Sequence, residues 1–164
     1  MKSGFSLIEM IVVITLIALV VVMVRINSNF LSSYVIRAQI EQLFSTCHRA
    51  RQSALAYNRT ECIEFDLHTN TYRWASSVQQ LPRGIRFGYL PGAQGPPANP
   101  TTLLHKPITF AGDHITCYPD GIIQSGTVYL VDDNATMMYA ISNAVSQVSY
   151  LRIYAYHDGW KLVE

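Results

Sequence analysis

The run FSLIEMIVVITLIALVVVMV, from Phe5 to Val24, holds a single charge, Glu9, and no glycine or proline. As a helix rising about 1.5 Å per residue it spans roughly 30 Å, the thickness of a bilayer's hydrocarbon core. Lys2 precedes it, and a basic flank is held on the cytoplasmic side, so the N-terminus reads as inside and the remainder as outside. The rest of the chain is a different material. Of 12 Lys+Arg and 11 Asp+Glu in 164 residues, only Lys2 and Glu9 come before Arg25, which leaves 11 and 10 for the remainder. A nearly neutral, well-mixed globular part therefore follows one short apolar segment. The overall balance, 49% apolar and 14% charged, excludes a disordered chain, a nucleic-acid coat and a multi-span membrane protein.

Three readings of the N-terminal segment compete. A secretory signal would have a shorter apolar stretch and a small-residue cleavage site after it, whereas Val24-Arg25-Ile26-Asn27 offers none. A plain anchor explains the length but not Glu9, since a carboxylate in hydrocarbon costs roughly 2.5–3.5 kcal/mol at mid-bilayer and needs a partner. The third reading supplies one. Ser3-Gly4-Phe5-Ser6-Leu7-Ile8-Glu9 resembles the cleavage and methylation motif of type IV prepilins and pseudopilins. The resemblance implies that a prepilin peptidase cuts after Gly4 and methylates the new terminus at Phe5. It also implies that Glu9 meets the N-terminal amine of a neighbouring subunit, a pairing that makes a carboxylate tolerable in apolar surroundings.

From Arg25 to Tyr57 there is no proline or glycine, and Ile36, Ile40, Leu43, Cys47, Ala50 and Ala54 recur at steps of four and three. That spacing predicts an amphipathic helix, with Arg37, Glu41, Ser45, Arg49 and Gln52 on its other side. If continuous from Phe5 it is roughly 80 Å long, with Asn27-Ser28-Asn29 as its weakest stretch. After Asn58 the period becomes two. Glu61–Asp66 and Thr71–Ser76 read as a hairpin around Leu67-His68-Thr69-Asn70, and Ile85, Phe87 and Tyr89 alternate next. Pro91–Pro100, rich in proline and glycine, reads as a loop. Further strands are expected at Ile108–Phe110, Ile115–Tyr118, Thr127–Val131, Met137–Ile141 and Val148–Tyr156.

The expected fold is α+β: a long N-terminal helix, membrane-spanning and then amphipathic, packed on an antiparallel β-rich head. The divisions are a leader at 1–4, a transmembrane or filament-core helix at 5–24, the amphipathic periplasmic half of the helix at 25–58, and the head at 59–164. Ile115-Thr116-Cys117-Tyr118-Pro119-Asp120-Gly121 followed by Gly126-Thr127-Val128-Tyr129-Leu130 is similar to the head pattern of GspH/FimT-like minor pseudopilins, with Cys117 where a phenylalanine is usual. The strand at Val148–Tyr156 and Gly159-Trp160 fit the end of the same family.

Enzyme signatures are missing: no nucleophile elbow, P-loop, dinucleotide fingerprint or His-Glu-x-x-His occurs. The expectation is a non-enzyme with no cofactor and no metal. His48, His68, His105, His114 and His157 are scattered, and Asp132-Asp133-Asn134 reads as a polar turn ahead of a calcium loop. Cys47, Cys62 and Cys117 leave the pairing open, as one disulfide with a free thiol or three buried thiols. FimT-like members that take up DNA have an arginine-rich Gly-Arg-x-Arg motif. Here Ser149-Tyr150-Leu151-Arg152 retains only the last arginine, and His48, Arg49 and Arg51 read as a solvated helix face, which argues against nucleic acid.

The resemblance thus implies a structural subunit, processed at Gly4, of a type II secretion pseudopilus or a type IV pilus. Its partners would be other pilins, prepilin peptidase and the bacterial inner membrane. It would cross that membrane once with a periplasmic head, then enter a periplasmic or surface filament. The alternatives are a FimT-like DNA-uptake pilin and a membrane-anchored β module unrelated to pili.

Overall fold

The structure, a computed structural model, describes residues 6–145 and 150–163, with the side chains of residues 23–32 outside the description. Helix α1 runs Leu7–Tyr57. Eleven strands follow: β1 Glu61–Asp66, β2 Thr71–Trp74, β3 Ser77–Gln80, β4 Ile85–Phe87, β5 Gln94–Gly95, β6 Thr102–Leu103, β7 His114–Cys117, β8 Gly126–Asp132, β9 Met138–Asn143, β10 Leu151–Tyr156 and β11 Trp160–Leu162. All pairings are antiparallel. The α+β class with an N-terminal helix and antiparallel sheets is as expected. The chain divides into two units, Met1–Tyr34 and Val35–Glu164, and each is described by itself.

In the second unit the expected helical stripe is the buried one. Ile36, Ile40, Leu43, Cys47, Ala50 and Ala54 are all 0% exposed, while Arg37, Glu41, Ser45, Arg49 and Gln52 face solvent. Arg37 and Glu41 pair one turn apart at 2.9 Å. The helix stops at a left-handed Asn58 (φ 49°), and the Arg59 N–H closes the end on Ala54 O at 3.2 Å. Asparagine tolerates that conformation because its short polar side chain bonds locally, and the six-to-one bond satisfies a carbonyl the helix cannot.

Two sheets share one core with the stripe. The first has the order β3-β2-β1-β7 and the second β11-β10-β9-β8-β4. Ile63, Tyr72, Ile115 and Cys117 come from the first; Ile85, Phe87, Val128, Leu130, Ile141 and Ile153 come from the second. The β1–β2 turn is tied by Asp66 Oδ1, which accepts the backbone N–H of His68 (2.9 Å) and Thr69 (3.3 Å).

Several expectations need correction. Ile108–Phe110 contributes a single bridge, Ile108 to Val128, because its neighbour on β8 is shared with β4 further along. The final strand is described from Leu151, and residues 146–149 lie outside the description. Edge strand β3 was missed because its one large apolar residue, Val78, is 60% exposed and gives no alternation to read. Pro91–Pro100 is not a free arm. Gln94–Gly95 pairs with Thr102–Leu103, and Ala93 is buried against Tyr129, Met138, Ala140 and Tyr154 on the outer face of the second sheet. Trp160 Nε1 donates to Gln94 O at 2.6 Å and holds this cover down.

Leu43→Ala removes a fully buried side chain from the helix–sheet core and is expected to cost about 2–5 kcal/mol in denaturant unfolding. Gln52→Ala on the exposed side is expected to change stability by less than about 0.5 kcal/mol. Equal effects would mean that the stripe is not the seam.

Candidate functional site

The expected processing residues Gly4 and Phe5 lie outside the described residues, and Glu9 lies within them. Glu9 stands in the first turn of α1, exposed, and its Oε2 accepts the backbone N–H of Ser6 at 3.4 Å. Ser6-Leu7-Ile8-Glu9 therefore has the S-x-x-E spacing of a capping box, in which a carboxylate at the third position reaches back to the cap residue. That signal is present in the sequence and was hidden behind the reading of Glu9 as a carboxylate in search of a cation. The carboxylate is also well placed against the positive end of the helix dipole.

Beyond Glu9 the described side chains of the helix up to Val22 are apolar on every side except at Thr15. Large side chains from Leu7 (78% exposed) through Val13 (46%) to Val22 (57%) all meet solvent, with no protected stripe. Thr15 breaks the apolar run, and its hydroxyl is bonded to Ile11 O (3.0 Å) and Val12 O (2.8 Å), so it presents little unmet polarity sideways. A helix hydrophobic all round is built for apolar surroundings. Among the described residues, no helix is long and apolar enough to cross a membrane. The helix continues through Val24, and the side chains of the last two residues of the expected run, Met23 and Val24, lie outside the description.

Residues 1–24 match the prokaryotic N-terminal methylation motif. The motif indicates a type IV pilin-like precursor, and it implies processing by prepilin peptidase and assembly with other pilins. No curated protein and no solved structure matches the chain.

The head holds the remaining candidates apart. Among the described residues no group of three or more His, Cys, Asp or Glu side chains could hold a metal. Asp132 is 1% exposed, with Oδ1 accepting the N–H of Thr136 (2.8 Å) and Met137 (2.7 Å) and Oδ2 the Thr136 hydroxyl (2.7 Å). Those bonds make it the staple of the β8–β9 turn. His114 Nδ1 bonds Gly112 O at 2.9 Å, and Cys117 lies in the core, so this close pair is split as strand alternation requires. The three thiols are free: Cys62 faces solvent, burial pushes the pKa of Cys117 up to about 12, and burial, with the charge of Cys117 adding to it, also raises that of Cys47. Arg152 is exposed, its guanidinium 4.4 Å from the Tyr150 ring centre.

Glu61 was not singled out in the sequence. It is 6% exposed, and Oε1 accepts from Arg59 Nε (2.7 Å) and Ser53 Oγ (3.1 Å) while Oε2 accepts from Trp74 Nε1 (3.1 Å). Burial alone would raise its pKa; the bonds from Arg59, Ser53 and Trp74 and the Arg59 charge outweigh burial and hold it below the ordinary value. With the folded value depressed, the contribution is present above the unfolded pKa of about 4.3 and is lost as pH falls through the folded one. Thermal melts from neutral pH downward are expected to lose stability below about pH 4.3. In Glu61→Gln this acid dependence is expected to shrink, with a lower melting temperature at pH 7. An acid limb identical to that of the parent chain would show that Glu61 carries none of it.

Proposed function

We propose that this chain is a minor pilin-like subunit, GspH/FimT-like, of a type II secretion pseudopilus or a type IV pilus, acting by assembly and not by catalysis. The observation that carries the reading is the methylation motif at residues 1–24, whose described helical part, Leu7–Val22, exposes its apolar side chains on every side. Cleavage follows Gly4, Phe5 becomes the methylated terminus, and the apolar helix resides in the inner membrane as a single pass until the subunit is drawn into the filament. There the helix packs among its equivalents, which removes its exposed apolar surface from lipid and water alike.

Glu9 then serves two ends in turn. In the precursor it caps its own first turn; in the filament it meets the Phe5 amine of a neighbour and sets the axial register, because an unpaired carboxylate among packed apolar helices is costly. The head supports the finer assignment through its β7–turn–β8 segment. Gly121 (φ 82°) closes the Pro119-Asp120-Gly121 turn, and Asp120 Oδ1 accepts the Ile122 N–H at 2.9 Å. Cys117, in place of the usual phenylalanine, still fills the core side of that segment, at 0% exposure. A DNA-uptake role has less support, since phosphate neutralisation needs several clustered cations and the described neighbours of Arg152 are the aromatic Tyr150 and Tyr154.

Intact mass of the chain recovered from its host is expected to lack Met1–Gly4 and to include one added methyl group. A chain of full mass sinks the pilin reading. Glu9→Ala is expected to insert in the membrane normally and to be depleted from sheared filaments; normal incorporation would remove its register role. Deleting the gene separates the two machines: loss of secreted proteins with surface pili unchanged assigns the secretion pseudopilus, and the reverse assigns the pilus.

A further inference from the structure

The Gly/Pro cover leaves the second sheet and returns to it at a single residue. The Gly88 N–H donates to Tyr129 O at 3.1 Å, and the Tyr129 N–H donates to Pro107 O at 2.9 Å. Residues 89–106 are therefore a loop with both ends on the backbone of Tyr129, and a loop whose ends lie close can behave as one compact unit. Most of its hydrogen bonds are its own. Gln94–Gly95 pairs with Thr102–Leu103, the Leu104 N–H donates to Ala93 O (3.0 Å), the Ala93 N–H to Leu90 O (3.1 Å) and Thr102 Oγ1 to Gly95 O (3.0 Å).

Ties from the cover to the rest of the head are few. Between its two ends, and among the described residues, the Leu90 N–H meets the Met138 sulfur (3.4 Å) and the Trp160 Nε1–H meets Gln94 O (2.6 Å). A thioether is a weak acceptor, so the indole bond is the strong tie. On one flank a cavity of about 800 Å³ is bordered by residues 102–106 of the cover and residues 108–113 beyond it, which leaves the cover room to move. Trp160 itself stands on β11, three residues at the edge of the second sheet, paired with β10 alone. Loops with few ties and short edge strands belong to the low-stability end of a fold.

Beneath the cover lies an apolar layer separate from the helix–sheet core. Ala93 packs there with Tyr129, Met138, Ala140 and Tyr154, while Tyr139 and Ile141, the neighbours of Ala140 along β9, belong to the core on the other face. The two layers can thus part company. We propose that residues 89–106 are a strap that opens as a unit about Tyr129, latched shut by the Trp160 indole, and that opening uncovers the Tyr129, Met138, Ala140 and Tyr154 platform while the helix–sheet core stays closed. The latch moves with β11, so closure is coupled to the C-terminal strand. The device stands on the head's own geometry and does not depend on the assembly reading.

Native-state thiol labelling tests it, because the core supplies its own reference. Cys47 and Cys117 are 0% exposed and react when the helix–sheet core opens, whereas Ala140→Cys places a thiol under the strap. The full chain is used in mild detergent with Cys62→Ser, which removes the exposed thiol. Each site is alkylated in native buffer, located by peptide mass, and its rate divided by that of the same thiol in urea. Ala140→Cys is expected to react at least about tenfold faster than Cys47 and Cys117. Adding Trp160→Phe, which retains a ring and removes the N–H, is expected to speed Ala140→Cys about fivefold, the worth of one hydrogen bond, and to leave both core thiols at their parent rates. Ala93→Cys, whose thiol rides on the strap, takes the place of Ala140→Cys if the latter melts below its parent. Equal labelling of Ala140→Cys and the core thiols makes the cover part of the global fold and overturns the strap. Acceleration of all three sites by Trp160→Phe, or of none, overturns the latch.

Discussion

Ile36, Ile40, Leu43, Cys47, Ala50 and Ala54 lose all contact with solvent, and both sheets contribute their inner faces to that burial. Each of the larger side chains is worth roughly 1.5–3 kcal/mol when fully buried. The stripe also tapers, from Ile and Leu at its start to Cys and Ala at its end. Beside the tapered end, side chains of the helix reach the turn after β7: Arg51 Nε donates to Gly121 O at 2.8 Å, and a Cβ on Gly121 would come within 3.1 Å of Leu55 Cδ2. The turn after β7 is thus fixed to the helix through a backbone carbonyl and a missing side chain. Cys117, just before that turn, needs no phenylalanine-sized volume where the helix is already close.

The first unit follows the opposite rule. Its side chains from Leu7 to Val22 are as apolar as any core, yet none is covered. Exposed contiguous apolar surface of this kind marks an interaction with lipid or protein. The polar groups in the run are arranged to suit either. Thr15 spends its hydroxyl on its own helix, and Glu9 accepts the Ser6 N–H through one carboxylate oxygen. The geometry is that of a helix carrying a single specific polar demand near its beginning.

What the sequence made legible is what periodicity encodes. The four-three stripe gave the apolar buried positions of the helix but not Thr46, also buried at 4%, and alternation gave β1, β2 and the centres of β8 and β9. Strands with nothing to alternate were invisible: β3 is Ser77-Val78-Gln79-Gln80 at a sheet edge, and β5 and β6 are two residues each. The Gly/Pro run declared correctly that the backbone turns, but glycine and proline say little about cover, so the burial of Ala93 over Tyr129 and Met138 had no signal. Exposure of Cys62 and burial of Cys117 depend on strand register, with Cys62 opposite Thr116 and Cys117 opposite Glu61, and register is a tertiary fact. Arg49 reads as a solvated residue and is exposed in the structure, while the placement of its guanidinium over the Trp74 ring on the second strand has no local signal.

The head holds two buried tyrosine hydroxyls without partners, Tyr72 and Tyr129, and packing of a different kind offsets each. A buried hydroxyl left unpaired costs about 1–3 kcal/mol, so each requires a compensating gain. At Tyr129 the gain is aromatic and apolar. The ring lies 5.8 Å from Trp160 and is covered by Ala93 and Leu104, and Gly95 is the residue whose missing Cβ leaves room for the Oη, since a Cβ there would stand 2.7 Å from it. Tyr129 also borders a cavity of about 800 Å³ whose lining includes Thr102, His105, Lys106 and Thr109. At Tyr72 the ring belongs to the helix–sheet core, with Thr46, Arg49, Ser77 and Gln79 beside it, so the packing of the seam itself offsets the burial of its hydroxyl.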